Sequence, residues 1–80
     1  MSIMVTRPAE NAFAVTPNND ADLAEDTRGL YVGVSGDVKV DLVGGTTVTF
    51  VNLAAGVIHP IRARRVYATG TSATSIIGAY

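Results

Sequence analysis

Residues 38–53, Val38-Lys39-Val40-Asp41-Leu42-Val43-Gly44-Gly45-Thr46-Thr47-Val48-Thr49-Phe50-Val51-Asn52-Leu53, are two alternating stretches hinged on a glycine pair. In a strand successive side chains point to opposite faces, so Val38, Val40 and Leu42 share one face and leave Lys39 and Asp41 on the other. Beyond the glycines, Val48 and Phe50 share a face away from Thr47 and Thr49. Two matching apolar faces joined by Gly44-Gly45 predict an antiparallel hairpin. A primed two-residue turn needs positive φ at both central positions, which glycine adopts without steric cost. Phe50 is the best single core candidate.

Working outward, turn formers recur at short intervals and β-branched or aromatic residues fill the gaps, which is an all-β pattern. Phe13 to Thr16 ends at Pro17. Leu30 to Val34 follows Arg28-Gly29, and Ser35-Gly36 offers a tight turn into Val38. After Ala54-Ala55-Gly56 comes Val57 to Ala68, long for one strand and interrupted by Pro60, which cannot donate to a ladder. Thr69-Gly70-Thr71-Ser72 is a turn, and Ser75 to Tyr80 is a last short strand. Residues 1–11 read as an extended N-terminal arm and 12–80 as a single β domain. About six short strands with a long first connection predict a small β-sandwich or Greek-key barrel.

The segment Ile61-Arg62-Ala63-Arg64-Arg65-Val66-Tyr67 holds three of the chain's six basic residues. Strict alternation puts Arg62 and Arg64 on one face and sends Arg65 inward with Ile61, Ala63 and Tyr67. Either a bulge at Arg64-Arg65 turns the arginines out and keeps Ile61, Ala63 and Val66 in, or an acid such as Asp22 or Asp26 meets Arg65. The stretch Pro17 to Thr27, PNNDADLAEDT, contains Asp20, Asp22, Glu25 and Asp26. It reads as a solvated connection, with room for one helical turn at Asp22 to Asp26, or as an acidic surface for the arginines of a neighbour.

Composition narrows the function. With 48% hydrophobic and 16% charged residues and a mean hydropathy of +0.30, the 80-residue chain is too apolar to be disordered. Its apolar runs fall far short of the roughly 20 residues needed to span a bilayer, which excludes a membrane helix. Domains of this size need help beyond a single core. There is no cysteine for disulfides, and His59 is the only histidine. No metal or cofactor is expected, so oligomerisation is the expected source of extra stability. A net charge of −1 with seven acids argues against nucleic acid.

Catalytic groups are missing from the pattern. His59 lies between Ile58 and Pro60 without a nucleophile in an elbow motif, and reads as a half-buried or interface histidine. The glycines at 33, 36, 44 and 45 sit in hairpin positions with no following helix, unlike a phosphate loop. The arginines admit three readings: a nucleic-acid patch, a solvated face compensated by Asp37, Asp41 or the acidic loop, and a protein interface, where guanidinium is enriched. The interface reading groups Arg62, Arg64, Arg65 and Tyr67 with Asp20, Asp22, Glu25 and Asp26 as a candidate assembly surface.

Taken in order, AFAVTPNNDADL (12–23), TRGLYVGVSGDVKV (27–40) and IRARRVYATGTSATSI (61–76) resemble the head spike base proteins of gene transfer agents and related alphaproteobacterial tailed phages. The distinctive order is an AxxVTP opening, an acidic loop, a TRGLYVGxxGDV hairpin, a valine-threonine-phenylalanine strand and an arginine strand ending in ATGTxAT. Members are virion components that sit on the capsid and carry a separate spike or fibre. The resemblance implies a non-enzymatic structural subunit on the outer capsid surface, made in the bacterial host cytoplasm. It implies a homo-oligomer, a pentamer first and a trimer second, with the major capsid protein and a spike or fibre protein as partners and neither nucleic acid nor membrane. The alternative is a small β-sandwich module recognising a surface glycan or protein, for which Tyr31, Tyr67 and Tyr80 are the stacking candidates.

Overall fold

The computed structural model describes residues 9–80, so the expected arm lies outside the described residues as far as residue 8. Among the described residues seven strands follow one another: β1 Ala12–Ala14, β2 Gly29–Val34, β3 Gly36–Leu42, β4 Thr47–Leu53, β5 Ile58–His59, β6 Ala63–Val66 and β7 Thr74–Ala79. They form two antiparallel sheets, ordered β1-β7-β2-β5 and β4-β3-β6. The fold is an all-β sandwich.

The hairpin forms in the expected register, with Val38 opposite Phe50 and Val40 opposite Val48. Its turn differs from a primed two-residue loop. Gly45 N–H bonds Leu42 O at 2.8 Å, Leu42 N–H bonds Thr46 O at 2.8 Å, and only Gly45 of the pair has positive φ, +100°. This is a three-residue loop whose last residue is left-handed, so one glycine carries the conformational demand. Near the other end, Asp37 faces both Val51 and Asn52; Asn52 takes φ 57°, and its N–H bonds Asp37 Oδ1 at 2.9 Å.

β2 and β3 are separated by Ser35 alone, yet they are not paired. The chain passes there from one sheet to the other, so Ser35-Gly36 is a crossing and not a hairpin turn. Crossing requires close backbone contact. A Cβ on Gly36 would lie 2.5 Å from Ala73 N and 2.8 Å from Ala73 Cα. Pro60 ends the long fifth segment for the same reason: β5 pairs with β2, whereas β6 pairs with β3 in the other sheet.

The core lies between the sheets, where Leu30, Val32, Val38, Val40 and Ala63 are fully buried and Val66 nearly so. Phe50 is half-buried and packs at the margin of this cluster, so the core is aliphatic and central to β2, β3 and β6. Thr27 is buried with its hydroxyl donating to Ile61 O at 2.8 Å and accepting from Ala63 N–H at 2.9 Å. Both capacities are met, as a buried hydroxyl requires.

Candidate assembly surfaces

The arginine strand carries the expected bulge. Leu42 opposes Ala63, Asp41 opposes Arg65 and Val40 opposes Val66, so Arg64 is the extra residue. That insertion lets Ala63 and Val66, three positions apart, both face the core while Arg64 and Arg65 turn out.

The acidic stretch 17–27 lies along the outer edge of β6. Asn18 N–H bonds Val66 O at 2.9 Å, Leu23 N–H bonds Arg64 O at 2.8 Å, and Thr27 N–H bonds Ala63 O at 3.1 Å. Those backbone bonds pin it at three points while it bends at Asn19-Asp20 and Ala24-Glu25, and the helical turn expected at Asp22 to Asp26 is absent. They also cover an edge that would otherwise offer unpaired donors and acceptors. Asp22 is delivered to both arginines: Arg65 Nε donates to Oδ1 at 2.9 Å, and Arg64 Nη1 lies 3.7 Å from Oδ2. The bond to Asp22 is the main cause raising the Arg65 pKa.

Behind this pair sits Asp41, which points outward as alternation requires yet is only 5% exposed. Side chains laid over the sheet bury it. Its carboxylate accepts from the hydroxyls of Thr47 and Tyr67 and lies 3.4 Å from Arg64 Nη2. The Thr47 hydrogen bond is the largest influence and lowers the Asp41 pKa; burial opposes it, and Tyr67, Arg64 and Arg65 add to the lowering. Tyr67 is flanked by cations, with Lys39 Nζ 4.9 Å and Arg65 Cζ 5.8 Å from its ring centroid.

Of the eight candidate residues, the structure therefore brings Arg64, Arg65, Tyr67 and Asp22 together within one subunit. Arg62 stands apart, exposed beside the Val43 turn, and Asp20, Glu25 and Asp26 are exposed along the acidic stretch.

The outer faces of the two sheets differ in kind. On the β4-β3-β6 sheet one cross-strand row is Thr47, Asp41 and Arg65. On the four-stranded sheet the corresponding row is Ala14, Ile77, Tyr31 and Ile58, one residue from each strand, with Ala12 and Ala79 beside it. No charge interrupts this row, and Ile58 is 61% exposed. Outward faces of sandwich strands are ordinarily polar, and a contiguous apolar surface marks an interaction site. The signal was present in Gly29-Leu30-Tyr31-Val32-Gly33-Val34 and Ser75-Ile76-Ile77-Gly78-Ala79, which read as nearly continuous apolar runs. Such runs belong to strands covered on both faces.

A second apolar surface lies where β4 and β5 border the sandwich. Leu42, Phe50, Leu53, His59, Pro60 and Arg62 line an open groove of about 710 Å³. His59 is half-buried there, its Nε2 3.0 Å from Ala54 O. The groove and the uncharged sheet face are both surfaces suited to association.

No protein-family model matches the sequence, and no curated protein matches it. Among solved structures, the chain is similar to a chain in the capsid of a native GTA (gene transfer agent) particle computed with C5 symmetry. The two are 35% identical with a TM-score of 0.83, over 99% of this chain and 92% of that one.

Proposed function

The chain belongs to the family of that gene transfer agent capsid component, and from that premise we propose that it is the spike-base or decoration subunit of a virion, closing into a ring of five on the outer capsid surface. The likeness to a capsid chain over nearly the whole length of both proteins carries this reading. The five-fold symmetry of that particle favours a pentamer, and the small core favours association as a source of stability. The ring acts without catalysis: it grips the major capsid protein and presents a separate spike or fibre.

The uncharged face of the four-stranded sheet supports an assembly role, because a soluble particle buries such a surface. Arg64, Arg65, Tyr67 and Asp22 brace the subunit, while Arg62, Asp20, Glu25 and Asp26 are left for polar contacts at the rim of an interface. The test is the mass of the purified chain by sedimentation and its binding to capsids lacking it. A five-fold species that binds is expected; a monomer that ignores capsids overturns the proposal. Ile58→Arg should fold, since Ile58 is exposed, and should fail to assemble or bind.

A further inference from the structure

The sheet edges are finished in different ways. β6 is sealed by the acidic stretch, β1 is three residues long and β5 two. β4 runs for seven residues, and among the described residues no strand pairs with its outer edge. Leu42 N–H bonds Thr46 O, and bonded pairs alternate along an antiparallel ladder, so Val48 and Phe50 bond β3 while the N–H and C=O of Thr47 and Thr49 point to the open edge. Thr47 to Phe50 carries neither the charge nor the proline that ordinarily blunts such an edge. The bulge opposite Asp37 comes only after that run, at Val51 and Asn52.

The groove opens along the same strand. Leu42, Phe50, Leu53, Pro60 and Ile61 give it apolar walls, and its volume of about 710 Å³ is that of a ligand site. Arg62 is the only lysine, arginine or acid that lines it. Arg64 and Arg65 are met by Asp22 and Asp41, whereas the exposed Arg62 has no carboxylate in ion-pair contact among the described residues.

We infer that β4 and the groove take up an extended peptide segment of another protein, apolar at alternate positions and carrying a carboxylate that meets Arg62. Each part of the site selects one part of that ligand. The open backbone groups of Thr47 and Thr49 bond a main chain in strand conformation, the walls take every second side chain, and the unpaired guanidinium takes an acid. A second copy pairing through its own β4 fits less well. Its inward side chains Val48 and Phe50 pack in their own core and cannot enter the groove, and β4 brings no acid to Arg62. The inference does not depend on the ring reading, because one subunit carries the whole site.

The test is selection from a random linear peptide library displayed on phage, panned on the purified full-length chain. Recovered peptides should share alternating apolar residues and an aspartate or glutamate. A labelled synthetic copy of one of them, followed by fluorescence anisotropy, should bind Arg62→Ala about tenfold or more weakly, the loss expected for a charge-assisted hydrogen bond. N-methylation of alternate residues of the same peptide should abolish binding in one of the two registers, and this leaves the protein itself unaltered. No enrichment, motifs without an acid, parental affinity in Arg62→Ala, or binding that survives N-methylation in both registers would each overturn the inference. Binding that appears only after an assembled form is dissociated would give the groove to a second copy and overturn it as well. A chain that is monomeric and ignores capsids yet selects such peptides overturns the ring reading alone.

Discussion

Arg65 Nε donates to Asp22 Oδ1 at 2.9 Å, joining two residues 43 positions apart and tying the acidic stretch to the arginine strand within one subunit. Both side chains are partly exposed, so solvent and salt screen the pair. Asp22→Asn should lower the thermal midpoint slightly, and raising the salt concentration should shrink the difference from the parent. Equal differences at low and high salt would show that the loss comes from the backbone of the stretch.

Charge reversal separates the arginines by role. Arg62→Glu should leave folding unchanged, because surface substitutions away from such networks usually stay within about 0.5 kcal/mol, and should weaken assembly. Arg64→Glu sets a carboxylate against Asp22 and Asp41 and should destabilise the isolated subunit, as a shift in urea midpoint. Survival of Arg64→Glu at parental stability would mean that Asp41 depends on Thr47 and Tyr67 alone.

Acid should act through Asp41. Its folded pKa lies below the ordinary carboxyl value of 3.8, so its contribution is fully present above that value and is lost as pH falls through the lower, folded pKa. Thermal midpoints measured between about pH 5 and pH 2 should fall less steeply in Asp41→Asn than in the parent. A parallel fall in both proteins would place acid sensitivity in other carboxylates.

Two glycines should differ in their tolerance of a methyl group. Gly36→Ala drives a methyl into the backbone of Ala73 and should cost about 1–3 kcal/mol or more. Gly44→Ala meets nothing within 4 Å and needs no positive φ, so it should be neutral within about 0.5 kcal/mol. Denaturant titration of the two variants measures both.

The core is tested by one substitution in the centre and one at its margin. Leu30→Ala removes a fully buried side chain and should cost about 2–5 kcal/mol. Phe50→Ala should cost less, despite the larger side chain, because Phe50 is half-buried beside the groove. A larger loss at Phe50, measured on the monomer, would move the centre of the core to β4.

Legibility followed the range of the interaction. The alternation in Val38 to Leu42 and Thr47 to Phe50 was readable because the strand period is two and neighbours in sequence decide it. The bulge was legible as one of two options, because Ala63 and Val66 can both face inward only with one extra residue; the register at Ala63 and Arg65 selected it. Phe50 was misjudged because residue size indicates burial only when a second layer covers the position, and two-residue β5 does not. The uncharged outer face lay in the sequence as continuous apolar runs, but pattern alone cannot separate burial by the chain itself from burial by a partner.

Amino-acid order by itself determined that this is an all-β chain, where most of its strands lie, which side chains of the hairpin face inward, and that the arginine strand needs either a bulge or an acid at Arg65. Tertiary structure alone decided that adjacent β2 and β3 belong to different sheets, that the acidic stretch seals β6, and that of the two acids proposed for Arg65 it is Asp22 that meets it. The physical reason is the reach of each constraint. Strand period and turn geometry act over a few bonds, whereas pairing partners are selected by which arrangement buries Leu30, Val32, Val38, Val40 and Val66 together and leaves no inner edge unpaired.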